Sequence, residues 1–124
     1  MKNFLNKRVQ GEYFENLALN FLEKEGFSLL EKNFYCKYGE IDIILRKSDL
    51  IVFVEVKQRS SKNFGTGFDA ISYTKQKKMY LTAQNFLYRN SLENFNFRFD
   101  AVVFDEKDNC HWIKNIMWGD EIGF

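Results

Sequence analysis

The run Leu50-Ile51-Val52-Phe53-Val54 constrains this chain most, because it passes directly into Glu55-Val56-Lys57-Gln58-Arg59. A continuous apolar segment of strand length marks a strand buried on both faces at the centre of a sheet. Such a strand needs neighbours along both edges and a layer over each face. Gln10 to Gly26 predicts one covering helix, with Phe14, Leu17, Ala18, Phe21 and Leu22 at helical spacing and Gly26 as its stop. Residues 28–36 predict a short strand. Gly39 opens a second, Glu40 to Arg46, and Lys47-Ser48-Asp49 turns into the central one, Leu50 to Arg59. Ser60 to Phe68, with Ser, Asn and two Gly, predicts a loop, and Asp69 the cap of a long helix from Ala70 to about Arg89. Further strands are predicted over residues 96–104 and 111–117, joined by a turn from Asp105 to Asn109. The order αβββαββ predicts an α/β fold, a central mixed sheet flanked by helices, in one domain spanning residues 1–124.

Composition removes several functions. The chain has 124 residues, 45% hydrophobic and 28% charged, which is the balance of a globular domain and not of a disordered one. A net charge of +1 excludes a polycation that binds by bulk charge. No apolar run reaches the ~18 residues of a membrane span, and the start, MKNFLNKRVQ, lacks the apolar core of a secretory signal. Two cysteines, Cys36 and Cys110, far apart and without a signal, predict reduced thiols in a cytoplasmic protein.

The informative residues are charges inside apolar elements. Side chains alternate along a strand, so Glu55 and Lys57 share a face with Phe53, while Val52, Val54 and Val56 share the other. Burying an unpaired charge costs several kcal/mol, on the order of the stability margin of a small domain. These two must therefore pair with each other or face a cleft. Asp42 stands among Ile41, Ile43, Ile44 and Leu45, where folding alone favours a β-branched residue. Glu15 falls inside the apolar arc of the first helix, beside Ala18, Leu19 and Leu22. Each has a structural reading: an ion pair for Glu55–Lys57, a strand-end acid for Asp42, a helix-edge residue for Glu15.

Taken jointly, these residues have a chemical reading. Two carboxylates supply hard oxygen ligands to Mg²⁺ or Mn²⁺, and such an ion acidifies water and stabilises charge on a phosphodiester. A lysine two residues on can orient the attacking water or neutralise the developing charge. The pattern Asp42…Glu55-Val56-Lys57 resembles the PD-(D/E)XK motif of the restriction-endonuclease-like superfamily. Within that superfamily the chain is most similar to the small YraN-like bacterial proteins and to archaeal Holliday junction resolvases. Gly11 with Glu15-Asn16-Leu17-Ala18, Asn33, Gly39-Glu40-Ile41-Asp42, Val52 to Arg59, Phe64-Gly65, Ala70, Lys75-Gln76 and Arg98-Phe99-Asp100 follow in the family's order. Phe14 stands where such proteins often have a small residue, and Tyr35 where a basic one is common. The resemblance implies a restriction-endonuclease-like fold, metal ligation by Asp42 and Glu55, catalysis by Lys57, and an accessory acid at Glu15. Gln58 is left out because strand alternation turns it to the opposite face.

Nucleic-acid binding leaves an electrostatic footprint. From Lys57 to Lys78 the chain holds Lys57, Arg59, Lys62, Lys75, Lys77 and Lys78 against Asp69 alone, a local excess of +5 that leaves −4 elsewhere. Arg59, Lys62, Lys75, Lys77 and Lys78 are the expected contacts to nucleic acid, and Lys75 falls on the inward stripe with Met79 and Ala83. The expectation is a Mg²⁺- or Mn²⁺-dependent endonuclease on DNA, including branched DNA, with RNA left open as substrate. A junction resolvase needs two active sites and hence a homodimer. The alternative is a non-catalytic nucleic-acid-binding or adaptor module on the same fold.

Overall fold

A computed structural model describes residues 6–58 and 72–117. Arg59, Lys62, Asp69, Ala70 and the expected loop from Ser60 to Phe68 lie outside the described residues. The order is α1 (Lys7–Lys24), β1 (Ser28–Cys36), β2 (Gly39–Lys47), β3 (Leu50–Gln58), α2 (Tyr73–Arg89), β4 (Asn96–Phe104) and β5 (Cys110–Ile113). The strands form one mixed sheet in the order β1-β2-β3-β4-β5, with β3 antiparallel to β2 and parallel to β4.

The apolar run is the centre of this sheet. Ile51, Val52, Phe53 and Val54 are all buried. Phe53 and Ile51 pack with Ile44, Phe99 and the α2 residues Met79, Ala83 and Phe86. Val52 and Val54 pack with Ile43, Leu45, Val102 and the α1 residues Phe14, Ala18 and Leu22. Among the described residues the sheet is thus covered by one helix on each face, as a strand apolar on both sides requires.

Helix ends account for most differences from the expected boundaries. Helix α1 begins at Lys7, before the expected Gln10, because the Asn6 side chain accepts the Val9 N–H at 3.0 Å and caps it. It stops as expected at Gly26, whose φ of +97° only glycine adopts cheaply. There the Phe27 N–H reaches the Leu22 carbonyl and the Gly26 N–H the Glu23 carbonyl, closing a Schellman motif. Helix α2 is described from Tyr73, with Ser72 as cap accepting the Lys75 N–H at 3.2 Å; the expected start at Ala70 lies outside the described residues.

Strand β5 ends at Ile113, short of the expected Met117. Asp100 on β4 is the reason. It is fully buried and accepts two hydrogen bonds from Arg98, one from the Trp112 indole at 2.9 Å and one from the Asn115 N–H at 2.9 Å. Capture of the Asn115 amide, with Asn115 at φ +59°, turns the chain out of the ladder. The Arg-Phe-Asp sequence therefore anchors the C-terminal edge of the sheet and does not line the cleft. Truncating Asp100 to Ala strands a partly exposed guanidinium and two part-buried N–H groups, and is expected to cost roughly 2–4 kcal/mol. Urea denaturation checks this; a loss below ~1 kcal/mol would contradict the assigned role.

Candidate active site

Between β2 and β3 the ladder runs from Lys47–Leu50 to Ile43–Val54. Beyond that pair β3 continues alongside β4 as far as Gln58–Phe104. Asp42 spans the point where β2 leaves β3: its Oδ2 accepts the Val56 N–H at 2.8 Å. A local slip in both β1 and β2 prepares this position. Residues two apart on a strand share a face, yet Ile41 packs in the α2 layer and Ile43 in the α1 layer. On β1, Phe34 packs under α2 while Lys32 reaches the α1 residue Asn16 at 2.7 Å. The residue between them, Asn33, has φ +54°, a left-handed conformation that Asn tolerates better than most residues. The register pairs Lys32 with Ile43 and Phe34 with Ile41, so the face switch falls at Asn33 and Asp42 together.

A cleft of about 320 Å³ opens beside Asp42, lined by Lys7, Gln10, Gly11, Phe14, Glu15, Val56, Lys57 and Gln58. A second, of about 450 Å³, adjoins it through Lys7, Gly11 and Glu15 and reaches Asn33 and Glu40. Glu15 forms part of the wall of both. Glu55 carries two cations: Lys75 Nζ lies 3.1 Å from Oε1 and Lys57 Nζ 3.6 Å from Oε2. Glu15 and Asp42 thus approach from the α1 side and Lys75 from the α2 side, while Lys57 both lines the cleft and pairs with Glu55.

The acids are held in an unfavourable state. Burial pushes the Asp42 carboxyl up to about 7; the Val56 N–H opposes this, and Glu15, Glu55 and Glu40 add repulsion. Burial also raises Glu15, against the hydrogen bond from Asn33 and the charge of Lys32. Glu15 Oε1 and Glu55 Oε2 are buried without a hydrogen-bond partner among the described residues. The Glu15 oxygen without a donor and the repulsion acting on Asp42 are features that a hard divalent cation would relieve. No group of three or more His, Cys, Asp or Glu among the described residues converges closely enough to form a metal cage. Asp42 and Glu55 offer two carboxylates, the number that Mg²⁺ commonly takes before filling its remaining positions with water and phosphate.

The sequence-predicted set is thus partly assembled. Asp42, Lys57 and Glu15 line one cleft, and Glu55 joins them through Lys57. Lys75, exposed on its helix, reaches Glu55. Lys77 and Lys78 are exposed elsewhere on α2, with Lys78 packed beside the Gly39 turn. Lys7 and Arg8 were missed because the first helix was expected to begin at Gln10; the Asn6 cap was the signal. Gln58, set aside by strand alternation, also lines the cleft and accepts a hydrogen bond from Gln10.

The sign of the Asp42 effect is testable. A carboxyl at about 7 in the folded chain and near 3.8 unfolded binds more proton when folded, so stability falls as pH rises from about 4 to about 7. Asp42→Asn keeps an acceptor for Val56 and cannot ionise. It is expected to be more stable than wild type by roughly 2–4 kcal/mol at pH 8, with the difference gone by about pH 4. Thermal melts across that range check this; a pH-independent difference would contradict it.

The sequence pattern of the uncharacterised protein family UPF0102 matches residues 14–104, which span α1 from Phe14 to the end of β4. A UPF0102 protein of Aliivibrio salmonicida is 43% identical over 115 residues, 90% of this chain and 94% of its own. One of Fusobacterium nucleatum is 39% identical over 122 residues, 97% of this chain and 100% of its own. One of Legionella pneumophila is 39% identical over 108 residues, 86% and 92% respectively. The matched segment contains Glu15, Asp42, Glu55 and Lys57 together with the strands and helices that position them, and the chain belongs to the UPF0102 family.

Proposed function

We propose that this protein is a metal-dependent nuclease of the restriction-endonuclease-like superfamily that hydrolyses phosphodiester bonds in DNA. The observation that carries the reading is the parting of β2 and β3, with Asp42 bridging the strands and Glu55 and Lys57 on the strand beyond it. Asp42 and Glu55 are the residues to hold Mg²⁺ or Mn²⁺. When bound there, the ion acidifies water and offsets charge on the phosphate. Lys57, partly buried in the cleft wall, places an ammonium where attacking water or a phosphate oxygen would lie. Glu15, raised by burial, is positioned to hold a proton at the cleft wall. The basic residues Lys7 and Arg8 at the start of α1 line the clefts, and Lys75 beside Glu55 and the exposed Lys77 and Lys78 of α2 are further cations for the polymer backbone; Arg59 and Lys62, expected contacts too, lie outside the described residues.

Purified protein is expected to cleave at least one of linear, single-stranded and four-way DNA with Mg²⁺ or Mn²⁺. Asp42→Ala is expected to lose roughly 100-fold or more of that rate. Absence of cleavage across the panel, together with absence of metal binding, would overturn the reading.

The ion pairing of Glu55 by two lysines favours a second reading, a nucleic-acid-binding module whose acids serve structure. It requires salt-dependent DNA or RNA binding that survives Asp42→Ala unchanged and weakens in Lys75→Ala.

A further inference from the structure

Lys75 stands where the physics of its helix disfavours a cation. With Ser72 as cap, Lys75 is the third helical residue, the position at which a capping box carries Glu or Gln. The helix dipole also disfavours positive charge there, and the first turn of α2 holds no acid. Its side chain instead crosses to β3 and sets Nζ 3.1 Å from Glu55 Oε1. The two ends of this pair differ in environment: the Glu55 side chain is 13% exposed and that of Lys75 49%. The carboxylate is thus held in place by the sheet, whereas the ammonium reaches it on a long arm from solvent.

We propose that Lys75 is a tethered counter-ion that occupies Glu55 until a divalent cation displaces it, so that the chain itself sets a threshold for metal binding. This rests on the reading of Glu55 as a metal ligand. A metal on Glu55 needs the oxygen lone pairs that Lys75 now engages, and two cations within a few ångströms of each other repel. Lys57 Nζ, 3.6 Å from Oε2 and rooted two residues along the same strand, has no comparable freedom to leave. Exchange of Lys75 for metal costs only a half-exposed ion pair, which keeps it reversible.

The test is a calorimetric titration of the full chain with Mn²⁺, without nucleic acid. Lys75→Met removes the competitor and leaves Glu55 unpaired at Oε1, so Mn²⁺ is expected to bind about fivefold more tightly than to wild type. Lys75→Gln is a second uncharged variant with the same expectation, should Lys75→Met not fold. Lys75→Arg keeps the pair and should retain the wild-type affinity. Lys77→Met removes an equal charge from the same helix and should leave affinity unchanged within about twofold, separating local competition from general electrostatics. If wild type binds Mn²⁺ and the uncharged Lys75 variants bind it equally or more weakly, the counter-ion role is overturned while the nuclease reading stands. If neither wild type nor the Lys75 variants bind Mn²⁺, the counter-ion role is overturned, and the nuclease reading falls with it when the DNA panel is also left uncleaved.

Discussion

The hydrogen bond from the Val56 amide to the Asp42 carboxylate holds the structure together where its sheet comes apart. To the Ile43 side of this point, β2 and β3 form an ordinary antiparallel ladder between two apolar layers. Beyond it the strands separate, and β3 loses a neighbour on one edge while keeping β4 on the other. A β-strand amide inside a domain needs an acceptor, and the Asp42 side chain supplies one where the β2 backbone does not. Separation of the strands opens the cleft; the carboxylate lets them separate without leaving the Val56 amide unsatisfied. One side chain therefore terminates the ladder and presents a charge to the space created.

The cost of that arrangement is concentrated in one place. Burial and mutual repulsion raise Asp42 and Glu15, and Glu55 keeps one buried oxygen without a hydrogen bond. Elsewhere the fold satisfies its buried charge fully: Asp100 accepts four hydrogen bonds from Arg98, Trp112 and Asn115. The contrast separates the two kinds of buried acid in this molecule. Asp100 is surrounded by donors and ties a sheet edge together, whereas Glu15 and Glu55 each keep a buried oxygen without a hydrogen bond.

Much of this was legible in the residues. The apolar run predicted the central strand buried on both faces, and alternation put Glu55 and Lys57 on the face of Phe53; that this face meets α2, from which Lys75 reaches Glu55, is shown by the structure. What escaped was set by departures from regular periods. Asn33 in a left-handed conformation switches the faces of two paired strands, so alternation could not say which layer Asp42 would meet. Alternation likewise turned Gln58 away from a cleft that it lines at the end of β3. Asn6 could have been recognised as a cap, and with it the placement of Lys7 and Arg8; α2 is capped by Ser72, three residues after the expected Asp69, and both are good capping residues that the apolar period does not choose between.

The sequence by itself determined the class of fold and the identity of the charged residues that folding alone does not want. Burial preference and strand and helix periods are local properties, and Leu50–Lys57 states them within one element. Only the tertiary structure decided that these charges meet, and in what state. The parting of β2 from β3, the contact of Lys75 with Glu55 and the rise of Asp42 to about 7 each depend on groups far apart in the chain. Electrostatic interaction and desolvation act through space and not along the backbone, so distances and burial that exist only in the folded chain set their size.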